Sequence, residues 1–179
     1  MKGRDLNLGI RVTIEDVHRG ATKTISVPRG NRYASIEVQV PVGVKNGAKL
    51  RLQGQGLPSP MQGGPAGDLF VKIQIDQSGK FERIDDTLDV VTELHLSIAE
   101  ATLGARVDVR TLDEKTVTLT IPEGTASESR FRIRGHGLNG PNGTRGDMYV
   151  KVRIVPPSGA DLTDALREAL GAIPAIERT

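Results

Sequence analysis

The sequence predicts an all-β protein made of two tandem, homologous small β-sandwich or barrel-like domains, with short helical insertions and a short C-terminal helix. Three observations carry this. A block of motifs is written twice, apolar residues alternate with polar ones at period two, and helical signals are confined to two brief turns and the tail. The stretch I-E-V-Q-V-P-V-G from Ile36 returns as V-T-L-T-I-P-E-G from Val117. L-R-L-Q-G-Q-G-L from Leu50 returns as F-R-I-R-G-H-G-L from Phe131, and G-D-L-F-V-K-I-Q-I from Gly67 as G-D-M-Y-V-K-V-R-I from Gly146. The offset is 122 − 41 = 81 at the prolines and 146 − 67 = 79 at the Gly-Asp pairs. A period near 80 exceeds a solenoid unit, so each copy is expected to be a domain: 1–80, 81–157, then a tail over 158–179.

Taken in order, Leu6, Leu8, Ile10, Val12 and Ile14 fall on one side of a first extended segment. Thr13-x-x-Asp16 then reads as a capping pair opening a helical turn, closed by Gly20 in the left-handed conformation. Strands follow with Ile36, Val38 and Val40, and with Leu69, Val71, Ile73 and Ile75. The second copy repeats the series: Val90, Leu94, Leu96 and Ile98, the capping pair Ser97-x-x-Glu100 with Gly104, then Val117, Leu119 and Ile121, and Met148, Val150, Val152 and Ile154. Period two with β-branched residues predicts half-buried, mostly antiparallel strands. In the tail, Leu162, Leu166, Leu170 and Ile173 fall at helical spacing, with Thr163 or Asp161 as cap and Pro174 as stop. So short a helix must bury its stripe, either on its own second domain or against a second subunit.

Composition narrows the function. Hydrophobic residues make up 37% and aromatics 3%, so the cores should be thin and aliphatic. With no cysteine there are no disulfides and no thiolate zinc sites, which fits a reducing compartment. The N-terminus lacks a signal-peptide run and no apolar stretch reaches membrane-spanning length, so a cytoplasmic protein is expected. The net charge of +2 is too mild to argue nucleic acid by itself. Lys49, Arg51, Arg130, Arg132, Arg134, Lys151 and Arg153 interleave with apolar residues, as solvated strand faces do; a phosphate-binding stripe is the competing reading.

Signs of catalysis fail in turn. The glycine-rich stretch Pro58–Gly67 lacks a following Gly-Lys-Ser/Thr and leads into a strand, so it is a turn and not a phosphate loop. Arg145-Gly146-Asp147 corresponds to Ala66-Gly67-Asp68, which makes it a Gly-Asp turn opening a strand. His18, His95 and His136 have no companions at metal-ligand spacing. Asp85 and Asp86 are adjacent, point apart on an extended chain, and read as linker carboxylates. No enzyme, no metal and no cofactor is expected. Duplicated β-domains offer instead exposed strand edges, to which an extended peptide can add.

Lys2-Gly-Arg-Asp-Leu6, the I-E-D-x-x-x-G stretch from Ile14, V-P-x-G-V-x-x-G-x-x-L-R-L-x-G-x-G from Val40, and Gly67-Asp-Leu resemble the C-terminal substrate-binding region of DnaJ-family co-chaperones. A-x-L-G at Ala101, I-P-x-G at Ile121, R-G-x-G-L at Arg134 and G-D-M-Y-V at Gly146 resemble that family's second C-terminal domain. The likeness is greatest to zinc-free members, among them a bacterial curved-DNA-binding protein. No Cys-x-x-Cys module is inserted, and no histidine is followed by proline, so the His-Pro-Asp tripeptide of the J-domain is missing. Either an excised fragment or a J-less relative is expected, unable to stimulate the partner ATPase alone.

The resemblance implies a peptide-binding groove in the first domain, carried onto Leu8 and Ile10, Ile25 and Val27, and Val71. It implies unfolded polypeptide clients, a DnaK-type chaperone as partner, and a homodimer held through Leu162, Leu166, Leu170 and Ile173. Curved or non-specific DNA binding and a purely structural dimerisation module are the alternatives.

Overall fold

The computed structural model describes residues 1–178. In the first copy, β1 (Leu6–Thr13) lies along β5 (Leu69–Asp76), which also pairs with β4 (Lys49–Leu52), in the order β1-β5-β4. Across from this sheet, β2 (Thr22–Arg29) and β3 (Arg32–Gln39) form a two-stranded antiparallel hairpin. The second copy repeats the plan and adds one short strand. There β6 (Phe81–Arg83), β7 (Val90–Ser97), β10 (Arg130–Ile133) and β11 (Met148–Val155) order as β10-β11-β7-β6, faced by the hairpin β8 (Ala105–Arg110) and β9 (Thr116–Ile121).

Both copies place their first long strand parallel to their last. Leu6 registers with Leu69 and Val90 with Met148, whereas the other pairings are antiparallel. Alternation alone suggests antiparallel neighbours. The difference arises because the chain between β1 and β5 is long enough to cross to the facing hairpin and return, as a parallel pair requires.

Two six-residue helices interrupt the copies, α1 (Ile14–Arg19) and α2 (Ile98–Leu103). Each opens with the expected capping box: Thr13 with Asp16, Ser97 with Glu100. Ile14 and Ile98 therefore leave the strand pattern and become first helical residues. Gly20 closes α1 at φ 66°, ψ 49°, the left-handed cap the sequence predicts. Gly104 has φ 79° but ψ 157°, so α2 runs straight out into β8 without that motif.

The cores are aliphatic, as composition requires. One cluster runs without a break from Val12, Val38 and Ile73 of the first copy through Phe81 to Val90, Leu138 and Met148 of the second. A smaller one joins Leu96, Ala101, Ile121 and Val152. Helix α3 (Asp164–Gly171), capped by Thr163, follows the last strand. No helix among the described residues is long and apolar enough to cross a membrane.

Candidate peptide-binding surface

In the first copy every strand but β5 keeps an edge free of sheet pairing; of these, β1 has only β5 beside it, and β2 has only β3. The inward residues of both belong to one cluster, graded in depth. Val27 and Val71 are fully buried and Ile10 is 8% exposed. Leu8 and Ile25 are half-buried and pack on top of them, together with Leu6, Ile36, Leu50 and Leu52. Thus the five residues drawn from the sequence come together, but in two layers. Ile10, Val27 and Val71, one from each of β1, β2 and β5, form a sealed floor. The half-open layer above contains Leu8 and Ile25. Leu6, Ile36, Leu50 and Leu52 share that layer; the alternation places Leu6 and Ile36 on inward faces but does not assign any of the four to the groove, since period two tells inward from outward and not depth.

The ends of β4 and β5 are held by a carboxylate clamp present in both copies. Asp68 accepts from Gly54 N at 2.9 Å, from Lys2 Nζ at 3.0 Å, and from Arg51 Nε and Nη2 at 3.1 and 2.6 Å. Its own amide donates to Asp5 at 2.7 Å. The Gly54 amide, Lys2 and Arg51 together hold its carboxyl well below the usual carboxylate range. In the second copy Asp147 accepts from Gly135 N at 2.8 Å and from Arg132, and its amide donates to Asp89. The shared Gly-Asp motifs are therefore structural; Arg145-Gly146-Asp147 is not the turn the sequence suggests, since Arg145 bridges Asn139 and Gly146-Asp147 lead directly into β11. Their glycines are required by close approach: a Cβ on Gly67 would lie 2.0 Å from the Arg4 carbonyl oxygen, and one on Gly146 2.1 Å from that of Leu88.

The copies are latched to each other through α1. His18, 2% exposed, meets Asp113 Oδ1 through Nε2 at 2.7 Å, and its Nδ1 accepts from Asn139 N at 3.1 Å. That acceptor role assigns the ring proton to Nε2, which donates to Asp113. Arg145 Nη2 donates to the other Asp113 oxygen at 2.5 Å, and Asn139 Nδ2 to the His18 carbonyl at 3.2 Å. Nearby, buried Arg83 donates to the carbonyls of Val44 at 2.5 Å and Gly43 at 3.1 Å across the same junction. His18 is thus a linking residue, and no group of three or more metal-capable side chains exists among the described residues.

The tail stripe lies beside α2. Leu166, Leu170 and Ile173 line an apolar groove of about 980 Å³ whose other wall is Leu96, Ile98, Leu103 and Val155. Leu162, Leu166 and Leu170 are half-buried, but Ile173 is 58% exposed and Leu103 opposite it 73%. The chain's own second copy covers only part of the stripe.

The DnaJ C terminal domain family model matches residues 6–157. Among known proteins, the "Chaperone protein DnaJ" of Exiguobacterium sibiricum is 41% identical over 143 residues, which is 79% of this chain and 37% of that protein. The "Curved DNA-binding protein" of Salmonella arizonae and that of Salmonella newport are each 39% identical over 180 residues, 94% of this chain and 57% of theirs. The chain thus spans little more than half of the relatives it matches, at most.

Proposed function

Because this chain belongs to the DnaJ C-terminal domain family, we propose that it is the substrate-binding region of a DnaJ-type co-chaperone, taking up extended apolar segments of unfolded polypeptide for delivery to a DnaK-type chaperone. The observation that carries the reading is the half-open apolar layer of the first copy, flanked by the unpaired edges of β1 and β2. A client segment adds to one edge through main-chain hydrogen bonds and lays alternate side chains against Leu8 and Ile25, with Ile10, Val27 and Val71 as a rigid floor. Main-chain bonding accepts many sequences; the aliphatic layer selects apolar ones. This is binding without covalent chemistry, and the division of labour follows the boundaries 1–80, 81–157 and 158–179.

Leu8→Ser and Ile25→Ser test the site. Covering the exposed half of such a side chain is worth about 1 kcal/mol, so each change should weaken capture of an unfolded model protein roughly fivefold. Unchanged affinity in a folded double variant overturns the assignment. The tail contributes by pairing two chains: the uncovered part of the Leu166, Leu170 and Ile173 stripe, with Leu103 opposite, accepts a second copy. Two weak sites on one dimer then raise avidity through effective concentration.

A second reading, DNA binding, is favoured by the outer face of the β1-β5-β4 sheet. Lys49 and Lys72 stand directly opposite each other there, and neither has a carboxylate within 4 Å among the described residues. Two of the matched relatives are named for DNA binding. A salt titration against duplex DNA separates the readings, since phosphate contacts weaken steeply with salt and apolar capture does not.

A further inference from the structure

We propose that the outer face of the first sheet, centred on Lys49, Lys72 and Arg11 around Gly9, is a contact for the phosphodiester backbone of nucleic acid, and that the second copy carries the same ladder partly neutralised, with Lys151 paired to an acid and Arg130 left without an ion-pair partner among the described residues. The proposal rests on the DNA reading and assigns its place. In the antiparallel register Lys49 faces Lys72, and in the other copy Arg130 faces Lys151. Like charges directly opposite weaken a sheet, yet both copies keep the pair at the same position.

The copies differ in what surrounds it. In the second, Glu128 pairs with Lys151 at 2.6 Å. Glu93, directly across from Lys151, reaches His95 at 2.5 Å and Arg153 at 3.6 Å. The first-copy counterparts of these two acids are both glycines. Gly9 lies across from Lys72 as Glu93 does from Lys151, and Gly47 N donates to Ile73 O as Glu128 N donates to Val152 O. His95 is replaced by Arg11 at the matching register. Removing both acids leaves Arg11, Lys49 and Lys72 exposed and without an ion-pair partner within 4 Å among the described residues.

Packing does not demand glycine at position 9. Its φ is not in the left-handed range, and an added Cβ would meet only the Lys72 carbonyl oxygen, at 3.9 Å. A glycine inside a strand costs stability and marks a place where another chain approaches closely. Here it floors a shallow hollow of about 390 Å³ between Asn7, Lys49, Phe70 and Lys72. Exposed cations on a flat sheet, with half-buried Phe70 not standing out as a stacking platform, suit an extended polyanion backbone better than splayed bases.

The test is binding of the full chain to a labelled 40-base-pair duplex by fluorescence anisotropy between 50 and 200 mM salt. With three phosphate contacts the affinity should fall about 40-fold over that range, at a log–log slope of about −2.7. In Lys49→Ala/Lys72→Ala the slope should drop to about −0.9, whereas Arg130→Ala/Lys151→Ala should keep the wild-type slope. Gly9→Glu, which restores the second copy's acid without removing a cation, should weaken binding as the lysine pair does. Capture of an unfolded model protein by Lys49→Ala/Lys72→Ala should stay unchanged, which shows the fold intact. If wild type binds and neither the lysine pair nor Gly9→Glu alters the slope, the site is wrong while the DNA reading stands. If wild type does not bind duplex or single strand at 50 mM, both are wrong. Displacement of the duplex by an acidic peptide at equal charge concentration overturns the assignment to nucleic acid.

Discussion

Replacing Asp113 by asparagine isolates the contact that fixes one copy against the other. The carboxylate takes His18 through one oxygen at 2.7 Å and Arg145 through the other at 2.5 Å. Those two hydrogen bonds, His18 first, lower its pKa from 3.8 to about 2. A folded-state value below the unfolded one means that folding favours the ionised form. The stabilisation is therefore complete above the unfolded pKa near 3.8 and disappears as pH falls through about 2. At 1.36 kcal/mol for each pH unit, this amounts to about 2 kcal/mol. With the side chain only 25% exposed, solvent screening removes little of it. Urea unfolding followed by far-UV circular dichroism is the appropriate assay, because the chain has no tryptophan. At an m-value of about 2 kcal/mol/M, the Asp113→Asn midpoint should fall by about 1 M at pH 5. The gap from wild type should then narrow steadily at pH 4, 3 and 2.5. A gap that stays constant across that series, or no gap at pH 5, would refute the ionic account of the latch.

The other changes probe close approach and self-association. Gly67→Ala forces a Cβ against the Arg4 carbonyl and should cost roughly 1–3 kcal/mol, while Gly79→Ala, which meets nothing within 4 Å, should change stability by less than about 0.5 kcal/mol in the same urea assay. Leu166→Asp with Leu170→Asp should convert a dimer into a monomer by light scattering without loss of the β spectrum. A wild-type chain that is already monomeric at high micromolar concentration would remove the role given to the tail.

Much of this fold is written locally. Thr13 with Asp16 and Ser97 with Glu100 satisfy amides three residues away, so both helix starts can be read from the sequence. The alternation at Leu69, Val71, Ile73 and Ile75 likewise names the buried face of β5, and all four are buried. Strand direction is not local, and the parallel β1–β5 and β7–β11 pairs depend on a return path that no window of residues displays. Nor is depth: Leu8 and Val71 register with each other and share an inward phase, yet one is half-open and the other sealed, and along β1 itself Leu8 is half-open while Ile10 and Val12 are buried. His18 reads as isolated because its partners stand 95 and 121 residues away. The contrast between Gly9 and Glu93 was available to a strand-by-strand comparison of the repeats, and it emerges once register aligns them.

What two copies of one scaffold have in common, and where they part, separates structure from function more sharply than either copy alone. The clamp of Arg51, Asp68 and Gly54 recurs as Arg132, Asp147 and Gly135 because without it the strand ends lose their capping partners. Positions that only face solvent are under no such constraint and diverge. The first copy has free cations around a glycine floor and an apolar layer between open strand edges; the second has paired Lys151 with Glu128 and Arg153 with Glu93 and opens an apolar groove beside α2. Each surface is thus built by substitution on a shared frame, and the buried latch at His18 ties the two copies together. Loosening that latch should therefore change how the two copies are held against each other while leaving each surface itself as it was.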